Sequence, residues 1–493
     1  MITDTQFDYV LVGGGTAGCV LANRLSADPS VNVLVLEEGG DDRAFEVRVP
    51  AAFSKLFQTA RDWAYDTVEQ PALGGRRLFW PRGKMLGGCS SMNAQLWVRG
   101  HRADYDAWEE AGGRPWGWDA ALEAYHRAER RDGDGRGLYG RSGPMWISDL
   151  RDPNVTTPAF LAACEQAGIR RIEDLNQPDN EGCAPFVVTQ RGGRRFSVAN
   201  GYIEPIRGRP NLRVELGART RRVLFEGRRA VGVELVDRGG RVLRVHARRE
   251  VVLCGGAIGT PQLLMVSGVG PAEHLREHGI AVVADAPEVG SGLQDHLAIA
   301  VIHACPEPVT LTRAESPMSL LRYLIAGRGM LTSSVAEAAA FVRSRPDLAA
   351  PDIELVWAPV PFVDHGRAKP TGHGVTLGVV LLQPKSRGTI RLSGADPLRP
   401  PRIDPGYLSD PQGTDLAAMV AGVRRAREIL GQRALARYVG APMEPHAAPT
   451  RDDAVAAFVR AKCETLYHPV GTCRMGTDPR SVVDPSLRVR GVT

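Results

Sequence analysis

The stretch Tyr9-Val10-Leu11-Val12-Gly13-Gly14-Gly15-Thr16-Ala17-Gly18 decides the fold. Residues 9–12 are a short apolar run of the kind that forms a buried strand, and the run leads directly into Gly13-x-Gly15-x-x-Gly18. In this fingerprint one glycine permits a tight turn, another lets the backbone approach a pyrophosphate, and the third lets the next helix pack closely. Ala17, Leu21 and Leu25 recur at helical spacing and predict that helix; Val33-Leu34-Val35-Leu36 predicts a second strand ending at Glu37. Free N–H groups at the helix start, around Thr16 and Ala17, would meet phosphate without any cationic side chain. Glu37 lies 19 residues beyond Gly18, where a carboxylate can accept hydrogen bonds from an adenosine ribose and would repel a 2′-phosphate. The fingerprint alone does not separate FAD from NAD.

Working outward, 493 residues exceed one compact core and predict at least two domains. Residues 250–254 read as a further buried strand, and Thr260-Pro261 as the cap and first-turn proline of a helix, so the sheet should draw on distant segments. Arginine- and glycine-rich stretches at 130–141 and 191–195 read as surface loops. Beyond residue 301 the pattern changes, with strand-like runs at 353–357 and 375–382 and a helical run at 416–430.

Composition narrows the class. Hydrophobic residues make up 43% and charged residues 24%, as in ordinary soluble enzymes. The net charge of +5 comes from scattered basic residues, of which only five are lysines, so no nucleic-acid stripe is expected. Eight cysteines without a Cys-x-x-Cys pair fit a reducing compartment, and no histidine and carboxylate cluster has metal-ligand spacing. Residues 1–9 lack the features of a secretory signal, and no apolar run reaches membrane-spanning length. The expectation is a cytoplasmic protein, a monomer or small homo-oligomer, without a membrane span, nucleic-acid partner or catalytic metal.

Two further segments carry a family likeness. Trp80-Pro81-Arg82-Gly83-Lys84-Met85-Leu86-Gly87-Gly88-Cys89-Ser90-Ser91-Met92-Asn93 and Gly256-Ala257-Ile258-Gly259-Thr260-Pro261-Gln262-Leu263-Leu264 continuing to Pro271 resemble the two signatures of glucose-methanol-choline oxidoreductases. The resemblance extends through residues 289–296, 384–388 and 467–476 and is nearest to choline dehydrogenase-like alcohol dehydrogenases. It implies an α/β fold: a Rossmann-like FAD-binding domain built from discontinuous segments (1–150, 195–300 and 464–493) with an α+β substrate-binding domain (151–194 and 301–463). It implies FAD, with Met85, Gly88, Asn93 and Ala94 near the flavin and the backbone at Thr220 near adenine. Met92 stands where some relatives carry the histidine that attaches FAD covalently, so non-covalent FAD is expected.

Oxidation of an alcohol at a flavin needs a base for the hydroxyl proton. His468 is the candidate: imidazole titrates near neutrality, and Pro469 favours an extended, loop-presented histidine. By resemblance it is the family's catalytic histidine. His296 is expected to support the fold or cofactor; Arg82 and Lys84 either stabilise reduced flavin or serve as surface cations; and Glu337 matches an acid that faces the substrate cation in choline-active relatives, with a purely structural role as the alternative. Relatives continue beyond residue 493 into a segment that completes the FAD sheet and carries a second catalytic His or Asn. That segment is expected to be missing here. The resemblance implies an FAD-dependent enzyme that takes hydride from a small alcohol and passes electrons to oxygen, a quinone or another acceptor. A non-redox flavin lyase and a truncated, non-catalytic flavin-binding fragment remain as alternatives.

Overall fold

A computed structural model describes residues 6–132, 137–368, 370–445 and 451–493. Strand β1 (Gln6–Val12) turns into helix α1 (Thr16–Leu25) through Gly13, whose φ is +108°. A Cβ on Gly13 would lie 2.5 Å from the Cys254 carbonyl oxygen, and one on Gly18 only 1.9 Å from the Gly13 oxygen. Both contacts are backbone, so only glycine fits. Strand β2 (Val33–Glu37) is buried at every position and runs parallel to β1, as an unbroken aliphatic run in a doubly covered sheet should.

The chain next lends β3 (Gly182–Pro185) to a different sheet, then returns with β4 (Leu212–Leu216), β5 (Arg219–Glu226), β6 (Arg229–Val236) and β7 (Val242–Leu253). The first sheet has the order β4-β2-β1-β7-β6-β5; β4, β2, β1 and β7 are parallel, and β5 and β6 form an antiparallel extension. β7 starts earlier than the apolar run at 250–254 indicates, because its first half alternates in exposure as the partner of β6. Helix α2 (Gly256–Val266) likewise begins before Thr260-Pro261, and Pro261 lies inside it. The N–H that proline lacks would have bonded the Ala257 carbonyl, and the Thr472 hydroxyl donates to that oxygen instead at 2.6 Å.

A second, wholly antiparallel sheet follows. Its strands are β8 (Leu297–Ala304), β9 (Ala338–Val342), β10 (Ile353–Ala358) and β11 (Gly374–Leu381), with helix α3 (Pro317–Ala326) between β8 and β9. Helix α4 (Thr414–Leu430), β12 (Pro442–Glu444) and β13 (Glu464–Thr465) complete it. The order is β12-β8-β11-β10-β9-β3, with β13 also paired to β8. Alternate residues face opposite ways. Ile353, Leu355, Trp357, Leu377, Val379 and Leu381 are buried on one face, where Gly422 of α4 comes close enough that a Cβ would stand 2.5 Å from Val379. Glu354, Val356, Ala358, Thr376, Gly378 and Val380 form the other face and line a cavity.

Several sequence expectations change. The boundary drawn at residue 300 cuts β8, and β13, assigned to the FAD-binding part, hydrogen-bonds to β8 in the second sheet. Residues 191–195 form the turn and one arm of a short hairpin that is exposed at Arg191, Gly192 and Arg194, but Arg195 is 5% exposed because its guanidinium donates inward to the Val47 oxygen and Asn93 Oδ1. In the stretch 130–141, residues 133–136 lie outside the described residues, and Tyr139 is buried by its hydrogen bonds to Asp174. No helix among the described residues is long and apolar enough to cross a membrane.

Candidate active site

The first half of the site is the glycine loop. No side chain caps the start of α1, so its first N–H groups stay available, and Thr16 and Ala17 are exposed there. The Glu37 carboxylate accepts from Gly14 N and Gly39 N, each at 2.8 Å, and thereby shapes the loop. Burial pushes its pKa up to about 7, against the opposing effect of those two donors. Each oxygen keeps a second acceptor direction. Gly15 and Gly88 approach so closely that a Cβ on Gly88 would stand 2.8 Å from the Gly15 Cα, which brings the 80–93 segment onto the loop. The buried Met85 lies under this junction, bridged to Gly40. On β5, Thr220 Oγ1 is buried with no hydrogen-bond partner among the described residues. A donor-lined helix start, a loop that admits no Cβ and an orphaned hydroxyl along the same sheet fit a dinucleotide.

The second half is a cavity of about 1190 Å³ floored by the second sheet. Arg82, Met92 and Asn93 of the 80–93 segment line it, together with the following Ala94. Asn93 Oδ1 is fixed by Arg195 Nη1 at 2.9 Å and Gln95 N at 3.0 Å. Met92 packs with Phe53 and Phe57. Lys84 is elsewhere: its ammonium pairs with Glu38 at 2.8 Å and stacks over Trp63, which favours the surface role over the flavin-facing one.

His468 opens into the cavity beside His296, with their Nδ1 atoms 3.1 Å apart. The His468 backbone N–H donates to Asp295 Oδ1 at 2.7 Å, while the Thr465 and Tyr407 hydroxyls donate to Oδ2. This clamp holds a strained turn, since Tyr467 has φ +69°. The surrounding protein, then His296 and Arg82, lower the His468 pKa to about 3; burial lowers His296 to about 4. Both rings are neutral near pH 7. A third histidine, His365, is lowered to about 4 by burial and hydrogen-bonds the Tyr467 hydroxyl at 2.6 Å.

Two acids are told apart by the fold, and Glu337 takes the structural of its two expected roles. Glu337 is 1% exposed, and its oxygens accept from Asn154 N and Thr157 Oγ1, both at 2.6 Å, and from Ser333 Oγ at 2.7 Å. It is a structural knot off the cavity wall, so it does not face a substrate cation. Glu354, not singled out from the sequence, lies on the cavity floor with no hydrogen-bond or ion-pair partner among the described residues, and burial raises its pKa to about 7. The available signal was a lone acid at an alternating position of an apolar strand. The pairing of His296 with His468 was not legible, because nothing local to either indicates that the other lies beside it.

Family models described as GMC oxidoreductase match residues 7–298 and 384–493. The chain belongs to the GMC oxidoreductase family. An alcohol dehydrogenase [acceptor] of Pseudomonas putida is 44% identical over 99% of this chain and 89% of its own length. An oxygen-dependent choline dehydrogenase of Brucella ovis is 40% identical with the same coverage. Pyridoxine 4-oxidase from Mesorbium loti superposes with a TM-score of 0.89 at 33% identity, covering 99% of this chain and 92% of that one. As a GMC oxidoreductase the protein is an enzyme, and family membership implies FAD in the cradle described above.

The depressed histidines have a consequence for stability. Unfolded histidines titrate near 6.5, so below that pH the unfolded chain binds protons that folded His296, His365 and His468 refuse until about pH 4 or 3. The contribution of these three histidines to stability is therefore fully present above pH 6.5 and declines as pH falls toward 4. Urea unfolding across this range is expected to show a shallower decline in His468→Gln; an unchanged slope would mean that His468 titrates normally in the folded protein.

Proposed function

We propose that this GMC oxidoreductase oxidises the CH–OH group of a small alcohol to an aldehyde or ketone, using non-covalently held FAD, with His468 as the base for the hydroxyl proton. The observation that carries this reading is the neutral, cavity-facing imidazole clamped beside the FAD cradle. Bound FAD supplies the two-electron acceptor chemistry. We assign its adenosine ribose to Glu37, its pyrophosphate to Gly13, Gly15, Thr16, Ala17 and Gly18, its adenine to the backbone at Thr220, and its flavin to the neighbourhood of Met85, Gly88, Asn93 and Ala94.

The histidine pair fixes where the proton goes. We assign neutral His296 the tautomer whose Nδ1 acts as acceptor toward His468. His468 then donates its Nδ1 proton to His296 and keeps a lone pair on Nε2, the atom we assign as the base. A base depressed to about 3 is weak, but it is unprotonated across the working range and cannot be lost to titration near neutrality. Once it accepts the proton, the imidazolium shares its other N–H with His296.

The electron acceptor is oxygen, a quinone or another oxidant. Glu354 refines the substrate class. Ala298, Val380 and Glu354 stand side by side on β8, β11 and β10, so Glu354 lies two strand spacings, about 10 Å, from the strand that His296 precedes. Among the described residues no protein group satisfies its carboxyl, so we infer that an ammonium or hydroxyl at the far end of the substrate does.

Three results test this. Anaerobic addition of alcohol should bleach the flavin in wild type, and His468→Gln should slow bleaching by about 10²–10⁴-fold; cyanohydrin cleavage with the flavin remaining oxidised would instead favour a lyase. Acid precipitation should leave FAD in the supernatant, since the Met92 thioether offers no histidyl attachment; a yellow pellet would refute dissociable FAD. Glu354→Gln should raise KM for an amino alcohol by about 10-fold, the loss of one hydrogen bond to a charged group, with little change in KM for an unsubstituted alcohol of similar length. Equal effects on both substrates would remove Glu354 from recognition.

A further inference from the structure

Of the eleven large apolar side chains that stand exposed among the described residues, five belong to the ten-residue helix α3: Met318, Leu320, Leu321, Leu324 and Ile325. Met318 is 72% and Ile325 78% exposed, whereas Tyr323 is the helix's buried residue, packed on Val49, Ala52 and Leu331. At about 100° per residue, Met318, Leu321 and Ile325 point away from the side that Tyr323 seats. The apolar stripe therefore faces outward, the reverse of an ordinary surface helix. The helix is well delimited: Ser316 accepts from Ser319 N at its start, and Gly327 closes it with φ +58°.

We propose that α3 is a peripheral docking element that lays its apolar stripe into the surface of an anionic phospholipid bilayer. Charge complementarity supports this occupant. Arg322 lies on the helix and Arg313 just before it, both exposed and without an ion-pair partner among the described residues, while Arg48 and Arg194 are close enough to influence the Tyr323 hydroxyl. The nearby acids are already matched, Glu315 to Lys55 at 2.8 Å and Asp152 to Arg328 at 3.0 Å. The rim is net positive, as attraction to anionic headgroups requires.

Area argues against a second protein copy. A ten-residue helix is about 15 Å long and about 10 Å wide, and such a convex ridge falls well short of the roughly 800 Å² per partner of a stable interface. A bilayer needs no matching groove. Ten residues are also about half of what a span requires, so the helix lies in the interfacial plane. Docking would bring the cavity wall to the membrane surface, because the 50–56 turn beneath Tyr323 carries Phe53 of that wall and the chain beyond α3 supplies Ser334 and Val335.

Vesicle co-sedimentation of the FAD-loaded protein tests the inference. Wild type is expected to pellet with phosphatidylglycerol-containing vesicles, less with pure phosphatidylcholine, and to be released by high salt. The double variant Leu321→Ser/Ile325→Ser should bind at least about 10-fold less, as expected for two large side chains no longer buried, with unchanged melting temperature and unchanged reduction of a soluble dye. Met318→Ser, with one apolar residue removed, should be intermediate. Wild type that stays in the supernatant, or binds no better than the double variant, overturns the proposal. So does a wild-type dimer in sedimentation velocity that the double variant abolishes, since the stripe would then belong to a second copy.

Discussion

The buried carboxylate of Asp295 accepts three hydrogen bonds, from Tyr407 and Thr465 side chains and from the His468 backbone, and the position of the cavity imidazole depends on them. Burial raises its pKa, and the three donors oppose that rise. A buried acid lacking even one of these donors would carry an unmet polar group, which costs about 1–3 kcal/mol or more when charged. The clamp holds the chain past residue 468 with Tyr467 in the left-handed region and His468 facing the cavity. The same clamp joins the segment entering β8 to the one leaving β13, so the geometry of the His468 imidazole is set by the antiparallel sheet rather than by its own loop.

The two sheets contribute different things. The parallel sheet ends in a turn where backbone packs on backbone, leaving a helix start with unused N–H groups. The antiparallel sheet has one face sealed by α4 and one face free to floor a cavity, a division that period-two alternation makes possible. The 80–93 segment joins them: Gly88 touches the loop while Met92 and Asn93 line the cavity. Electrostatics follow from this layout. Histidines that face the protein-lined cavity stay neutral, and Glu354 on its floor, without a partner among the described residues, is pushed toward protonation.

Much of the fold was legible in the residues because its signals are local. The aliphatic runs at 9–12 and 33–36, the glycines between them and the helical spacing of residues 17–25 each act over a few residues, and β1, α1 and β2 form where they indicate. Local signals also misled. Thr260-Pro261 looks like a helix start, yet α2 continues through the proline because Thr472, more than 200 residues away, satisfies the carbonyl that proline leaves unpaired. Arg195 reads as a loop cation and is buried because acceptors from residues 47, 90 and 93 converge on it.

The sequence by itself determined the dinucleotide loop and the acid at residue 37, which rest on residue type and near spacing, while the candidacy of His468 came from the family resemblance of residues 467–476. Only the tertiary structure decided that His296 stands 3.1 Å from His468, that Glu337 is consumed by its own hydrogen bonds while Glu354 is left free, and that α3 turns its apolar side outward. Those outcomes depend on strand register and packing between segments far apart in the chain. A hydrogen bond or a buried face needs its partner's position, which the spacing of nearby residues does not carry.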